Sequence, residues 1–200
     1  SKHWDGATVF WQTDIQSKIR TGKVMLYDTS GHRVKDPYPL NHWAHSLLYD
    51  SYNLQQCLFG EHLLADDKRI PVAIVESEKT AIITSVYFLG FIWLAAGAKS
   101  NLKPERCKSL IGRSVTLFPD LGAYQDWQQK AESLSYFCDI GVSDILEASA
   151  ESNDQEKEYD LADYLIQYKV DGFLKAAESI NTNVEVVLNE KGYPASWDDL

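Results

Sequence analysis

An α/β fold, a parallel sheet flanked by helices and preceded by a small β-rich lobe, is predicted by three features of this 200-residue chain. From Pro71 onward, short apolar runs alternate with longer amphipathic stretches, the rhythm of strands joined by crossover helices. The run "VAIV" is wholly apolar, as strands buried on both faces of a parallel sheet are. The first third is instead rich in β-branched and aromatic residues broken by turn signals.

In chain order, "ATVFWQTD" and "GKVMLYD" read as strands, and "DTSGH" supplies Asp28 and Gly31 for a tight turn before "RVK", giving a small meander that contains Trp11 and Tyr27. The segment "KDPYPLNHWAHSLL" breaks at Pro37 and Pro39, after which Asn41 is placed to cap a helix, and "LQQCLFGEHLL" reads as a second short helical piece. After "VAIV", the stretch "SEKTAIITSVYFLG" reads as a helix capped by Ser77 and ending near Gly90. "FIWLAA" is the next strand, "KPERCKSLIG" a short helix closed by Gly112, "SVTLFP" a third strand, "AYQDWQQKAESLS" an amphipathic helix and "YFCDI" a fourth strand.

Composition narrows the classes. With 44% hydrophobic and 12% aromatic residues the chain can bury a sizeable core, which excludes global disorder. No apolar run approaches the roughly 18 residues of a membrane span, and "SKHWDGATVFW" lacks the pattern of a signal peptide, so a cytoplasmic, non-membrane protein is expected. Cys57, Cys107 and Cys138 are too widely spaced for a zinc knuckle or a disulfide framework and read as core thiols.

The net charge of -10 argues against a protein coated in phosphate contacts, but its distribution is uneven. Lys18, Arg20, Lys23, Arg33 and Lys35 face one acid, Asp28, and Lys99, Lys103, Arg106, Lys108 and Arg113 face Glu105. Two local basic surfaces follow from this, each of which also reads as an ordinary solvated face. The acid excess collects between Asp139 and Asp163.

In parallel sheets ligands sit outside the carboxyl ends of the strands, and both Glu76, directly after "VAIV", and Asp120, in "TLFPDLGAYQDW", fall at that edge. A carboxylate there is partly desolvated and is costly unless it caps a helix, pairs with a cation or holds a metal. If the two strands are neighbours, the two carboxylates can converge on a hard cation such as Mg²⁺. Glu78 and Lys79 read as first-turn surface residues. Other chemistry is absent: "GFIWLAAGAKSN" lacks the Gly-Lys-Ser core of a phosphate loop, His42 and His45 have no second ligand pair at zinc-finger spacing, and neither a nucleophile elbow nor a dinucleotide fingerprint occurs. Trp11 and Trp43 are candidates for base stacking, although most tryptophans pack in cores or grooves.

"VAIVESEKTA", the alternating stretch after it, "TLFPDLGAYQDW" and "YDLADYL" resemble the Toprim domain of bacterial primases, topoisomerases and related nucleases. The nearer resemblance is to Toprim-like, primase-related proteins of bacterial mobile elements and phages, whose signature is similar to E-G-E-K-T-A followed by a P-D-x-D loop. It covers most of residues 9–168, and "VFWQTDIQSKIRTGKVMLYDTSGHRVKD" with "HWAHSLL" resembles the segment that precedes Toprim in those proteins.

The resemblance implies that Glu76 acts in acid/base chemistry or metal coordination and that Asp120 is a ligand of Mg²⁺, with Mn²⁺ as substitute. One aspartate of the pair is missing, since Gly122 stands at the second position or, if the register shifts, Phe118 at the first, which implies weak metal binding unless Asp126, or Asp160 and Asp163, complete the shell. By the same resemblance Lys79 and Lys99 lie on motif loops where a cation meets phosphate, and Lys23, Arg33 and Lys103 of the two basic clusters extend the nucleic-acid contacts. The implied function is nucleic-acid processing related to DNA primases, as a Mg²⁺-dependent nucleotidyltransferase or nuclease. The alternatives are a catalytically inactive module that binds nucleic acid, single-stranded DNA first, or a replication partner such as a helicase or zinc-binding module, and an assembly domain of a replication protein. The expected organisation is a β-rich lobe over 1–68, a Toprim-like α/β domain over 69–168 and a C-terminal extension over 169–200, with "ASAESNDQEKEYD" as an acidic connector and "NVEVVLNEKGYPASWDDL" as an added element.

Overall fold

A computed structural model describes residues 5–35, 41–47, 53–65, 67–150 and 159–173. The Pro37 and Pro39 break, most of the acidic connector and the whole of the added C-terminal element lie outside the described residues. The chain divides into two compact units, Ser1–Asp66 and Asp67–Leu200.

In the first unit β1 (Thr8–Thr13), β2 (Ile19–Met25) and β3 (Asn41–Trp43) form an antiparallel sheet in that order. The β1–β2 connection is tied by the buried Asp14 carboxylate, which accepts the backbone N–H groups of Gln16 and Lys18 and the guanidinium of Arg20. Asp28 then makes the turn expected of it: its carboxylate accepts from Ser30 and His32 N–H, and Gly31 adopts φ +80°. Phe10, Met25, Cys57, Leu58 and Leu64 form the core of this unit, with Phe10 edge-on to Tyr27 and Phe59. Two expectations are corrected. Asn41 begins β3, paired with Met25, so it starts a strand rather than a helix, and among the described residues the 3-10 turn Ala44–Leu47 follows it. The "LQQCLFGEHLL" helix shrinks to the 3-10 turn Glu61–Ala65, where the Glu61 carboxylate accepts the N–H groups of Ile15 and Leu58.

The second unit agrees with the predicted fold class. β4 (Val72–Val75), β5 (Ile92–Ala95), β6 (Ser114–Leu117) and β7 (Asp139–Val142) form a wholly parallel sheet in the order β5-β4-β6-β7. α1 (Glu78–Tyr87) packs on β4 and β5, α2 (Tyr124–Leu134) packs on β7, and α3 (Ile145–Ser149) and α4 (Leu161–Leu165) complete it. All four residues of β4 are fully buried, which explains the unbroken apolar run. α2 buries Trp127, Ala131 and Leu134 on one stripe, as its amphipathic pattern requires. α1 and the segment after α4 are joined by the Tyr87 hydroxyl, which donates to the Tyr168 carbonyl at 2.9 Å.

Local expectations fail where tertiary packing outweighs pattern. The strand expected at "YFCDI" is present but begins three residues later: Tyr136 is 91% exposed in the turn after α2, and β7 runs over Asp139–Val142. "KPERCKSLIG" is not one helix; it contributes the 3-10 turns Pro104–Arg106 and Lys108–Leu110, the latter ending before Gly112 at φ +72°. Ser77 occupies the N-cap position of α1, but its side chain makes no capping bond. Glu78, read as a surface residue, is 2% exposed. Among the described residues, no helix is long and apolar enough to cross a membrane.

Candidate functional site

The strand order fixes where a ligand meets this sheet. From β4 the chain crosses to β5 on one side and then returns to β6 on the other, so the loops leaving β4 and β6 diverge and open a crevice between them. Glu76 leaves β4 two residues beyond Ile74, and Asp120 leaves β6 three residues beyond Leu117, the register partner of Ile74. Both are half-buried. The two carboxylates singled out by sequence thus stand on adjacent parallel strands at one edge.

The backbone around Glu76 is held firmly. Its carbonyl accepts the Gly97 N–H at 2.8 Å, next to the Ala96 to Val75 bond, so the loop after β5 leaves the ladder but stays tied to the end of β4. Gly97 is favoured there by its φ of +76°, and Oε1 of the buried Glu78 lies against it, 2.7 Å from where a Cβ would stand. Glu78 thus faces the β5 loop from within, a position its first-turn place did not reveal.

An open cleft of about 750 Å³ lies beside Glu76. One wall is the connection after β5, with Lys99, Ser100, Lys103 and Pro104; the other is the face of α2 that carries Asp126, Gln129, Lys130 and Ser133. These four α2 residues follow the i, i+3, i+4, i+7 spacing and so share one helix face. Lys99 and Asp126 form an ion pair across the cleft, and this hydrogen-bonded ammonium, with its charge, holds the Asp126 carboxyl below its ordinary range. Both partners are substantially exposed, so the pair fixes geometry more than stability.

The Asp120 loop is built separately. Ala123 N–H bonds the Asp120 carbonyl, Leu121 N–H bonds the Tyr159 carbonyl, and Gly122 turns at φ +82°. Gly122 N–H donates to Glu147 Oε1 at 2.8 Å, so a carboxylate from α3 reaches the loop in which sequence finds an aspartate missing. Sequence reading missed Glu147. The signal was present, since every parallel strand delivers its following loop to the same edge and Glu147 lies shortly after β7.

The remaining acids are engaged elsewhere. Asp160 and Asp163 form a reciprocal capping box at the start of α4, and Asp160 Oδ2 also accepts the Thr80 hydroxyl at 2.5 Å. Burial raises the Asp160 carboxyl above its ordinary value, against the opposing effects of Thr80 and Lys79. Among the described residues, no three His, Cys, Asp or Glu side chains gather as a metal-holding group.

The basic residues also divide. Lys99 and Lys103 line the cleft, whereas Arg113, expected on the same surface, is 3% exposed and donates to the Asp67 carbonyl. Lys79 lies in the first turn of α1 rather than on a loop. Lys23 is half-buried in β2, opposite Phe10 and Trp43, and Arg33 is exposed beyond the Asp28 turn, bridged to Tyr27. Lys130, which the sequence reading did not single out, joins the cleft cations.

No curated protein matches the chain. Among solved structures, the crystal structure of the primase fragment of the bacteriophage T7 primase-helicase protein is similar at a TM-score of 0.43 and 13% identity, over 78% of this chain and 64% of that one. The chain thus spans about 64% of the length of that fragment, and a likeness so remote says nothing about chemistry. The model of one family, described as Domain of unknown function (DUF6371), matches residues 1–121. That match takes in the antiparallel sheet, β4, β5, β6 and both strand-end carboxylates, more than half of the chain, and the protein belongs to the DUF6371 family.

Proposed function

We propose that this protein is a primase-related, nucleic-acid-processing module whose α/β unit seats the phosphates of a single DNA strand in the cleft beside Glu76. The observation that carries this reading is the pairing of two strand-end carboxylates, Glu76 and Asp120, at the crevice of the sheet with an adjacent cleft lined by Lys99, Lys103 and Lys130. The Toprim-like sequence motifs fall on those same strand ends.

The donor set suits Mg²⁺ in a particular way. Glu76 and Asp120 offer hard oxygen ligands, but no third acid completes a cage among the described residues. Mg²⁺ is commonly held by one or two carboxylates together with substrate phosphate and water, so Glu76 and Asp120 would hold it only alongside the bound strand. When bound, the ion supplies neutralisation of phosphate charge. The cleft lysines orient the strand, and Lys103 and Lys130 carry positive charge beyond that of Lys99, which Asp126 balances.

The test is titration of a labelled single-stranded oligonucleotide across a salt series. Lys103→Ala with Lys130→Ala should weaken binding and lower the slope of log K against log salt by roughly 0.7 for each phosphate no longer neutralised. Unchanged affinity and slope would remove the cleft as the strand's path.

A second reading, binding without catalysis, is favoured by the engagement of Asp126 with Lys99, by the capping box of Asp160 and Asp163, and by Gly122 at the position of the missing acid. Mg²⁺- or Mn²⁺-dependent primer synthesis or strand cleavage, abolished by Glu76→Gln and by Asp120→Asn, would exclude it.

A further inference from the structure

The two edges of the parallel sheet are finished differently. β5, at one edge, is buried along its whole length, whereas β7, at the other, runs from the exposed Asp139 through half-buried Ile140 and Val142. The N–H groups of Asp139 and Ser143 donate to the Arg113 and Leu117 carbonyls, so these residues, and Gly141 midway between them, turn their backbone toward β6. Ile140 and Val142 alternate with them, and their N–H and C=O groups point away from the sheet. Among the described residues no strand lies beyond β7, and a strand edge of this kind is a template for one more strand.

A groove of about 290 Å³ follows this edge, with Ile140, Gly141 and Val142 on one side and Tyr124, Gln128, Glu132 and Ser135 of α2 on the other. No β6 residue lines it, which puts it on the outer side of β7. The four α2 residues recur at three- and four-residue spacing and share one helix face, on the opposite flank of the buried Trp127, Ala131 and Leu134 stripe from Asp126 and Lys130. An extended segment laid here would find backbone partners on the strand and, for every second side chain, room beside α2.

Charge selects the occupant. Glu132 is exposed in the groove, and Asp139 and Asp144 are exposed at the two ends of β7. Among the described residues none of the three forms an ion pair. Two copies of β7 set edge to edge would bring these acids together, and each chain already carries -10, so the edge disfavours its own copy. A strand that carries lysine or arginine gains from the same acids.

We infer that the β7 edge, with the α2 groove beside it, docks an extended basic segment of a partner protein as an added strand of the sheet. Cationic side chains on its groove face meet Glu132, and those near its ends meet Asp139 and Asp144. The surface lies on the other flank of α2 from the lysine cleft, and the inference does not depend on the nucleic-acid reading.

The full chain is titrated, by anisotropy, with a fluorescein-labelled peptide of alternating lysine and valine long enough to span β7, and with its counterpart of alternating glutamate and valine. The basic peptide should bind and the acidic one should not. Two further basic peptides, N-methylated at every lysine or at every valine, each lose the N–H groups of one strand edge. One of them should bind roughly tenfold or more weakly and the other should keep its affinity, because an added strand pairs through one edge. Glu132→Gln should weaken the basic peptide roughly 2- to 5-fold. Val142→Pro removes an outward N–H while sparing the bonds to β6, and should weaken it roughly tenfold. Should Val142→Pro fail to fold, the N-methylated pair decides the matter on the unaltered protein. Binding of both charge patterns alike, or of neither, overturns the inference, as does an absence of any difference between the two N-methylated peptides. A parent dimer in sedimentation that Val142→Pro dissolves, with no peptide bound, also overturns it and assigns the edge to a second copy of the chain.

Discussion

The Thr80 hydroxyl donates to the Asp160 carboxylate across 2.5 Å, joining two residues 80 positions apart in sequence. The bond links the helix that begins beside Glu76 to the cap of α4, and so couples the first and last motifs read from the sequence.

Thr80→Val should destabilise the protein by about 1–3 kcal/mol at neutral pH, since it strips a hydrogen bond from a charged acceptor. Burial raises the Asp160 carboxyl above its ordinary 3.8, and Thr80 acts against that rise. A carboxyl raised on folding holds its proton more tightly in the folded chain, so its contribution is greatest below the ordinary value and is lost as pH rises above it. Thr80 favours the charged form, so the penalty of Thr80→Val should shrink as pH falls through the Asp160 titration. Urea unfolding of both proteins at pH 7 and in mild acid measures this; a pH-independent penalty would mean that Thr80 acts through packing alone.

Cys57 and Cys138 offer a probe of each unit by itself. Burial, aided by the Glu61 and Asp14 carboxylates, pushes the Cys57 thiol up to about 12, and burial with Asp139 pushes Cys138 up to about 11. Thiolate is the reacting species, so both thiols should resist a disulfide reagent at pH 8 in the folded protein and react only on opening. Single-cysteine variants followed against urea concentration then report the stability of each unit, and rapid labelling in buffer would contradict the burial of either thiol.

Asp126→Asn should tighten single-strand binding by a few fold, because it releases Lys99 from its ion pair into the cleft. Lys99 lowers the Asp126 carboxyl below 3.8, so at neutral pH the pair is intact and the effect is fully expressed. The salt slope should steepen by roughly 0.7 if the freed ammonium gains one phosphate. Weaker binding by the variant would instead assign Asp126 to the ligand itself.

These residues show how far the chain was legible as a sequence. Strands with one dominant environment were readable: "VAIV" is apolar because β4 is central in a parallel sheet, and α2 shows its stripe because one face meets the sheet. Glu76 and Asp120 were readable because strand ends in such sheets share an edge. Asn41 misled because its capping chemistry is local, whereas its pairing with Met25 is not. Glu78 was misread because what it touches, Gly97, lies 19 positions away along the chain and no periodicity encodes that, whereas Glu147, 25 positions from Gly122, was missed although it follows β7 to the edge that Asp120 shares. Asp160 was read for its charge, and its capping box with Asp163 is written in a spacing that a metal reading passes over.

Gly122→Asp tests whether the strand-end carboxylates form a cation site. Gly122 turns at φ +82°, and a Cβ added there would have no atom within 4 Å. The cost of substitution therefore lies in the backbone, about 1–2 kcal/mol, and aspartate tolerates that region better than most residues. The new carboxylate would enter a loop that already holds Asp120 and meets Glu147, and like charges there oppose one another unless a cation intervenes. Without divalent ions the variant should therefore melt below the parent, and Mg²⁺ or Mn²⁺ should restore part of the difference. Calorimetry should show tighter metal binding by Gly122→Asp and none by Asp120→Ala, with the oligonucleotide present in each titration because phosphate completes the ligand set. If neither substitution changes metal affinity, Gly122 serves only the turn, Glu147 serves only to hold that turn, and Glu76 is a strand-end carboxylate whose place beside the lysine cleft concerns binding rather than bond-making.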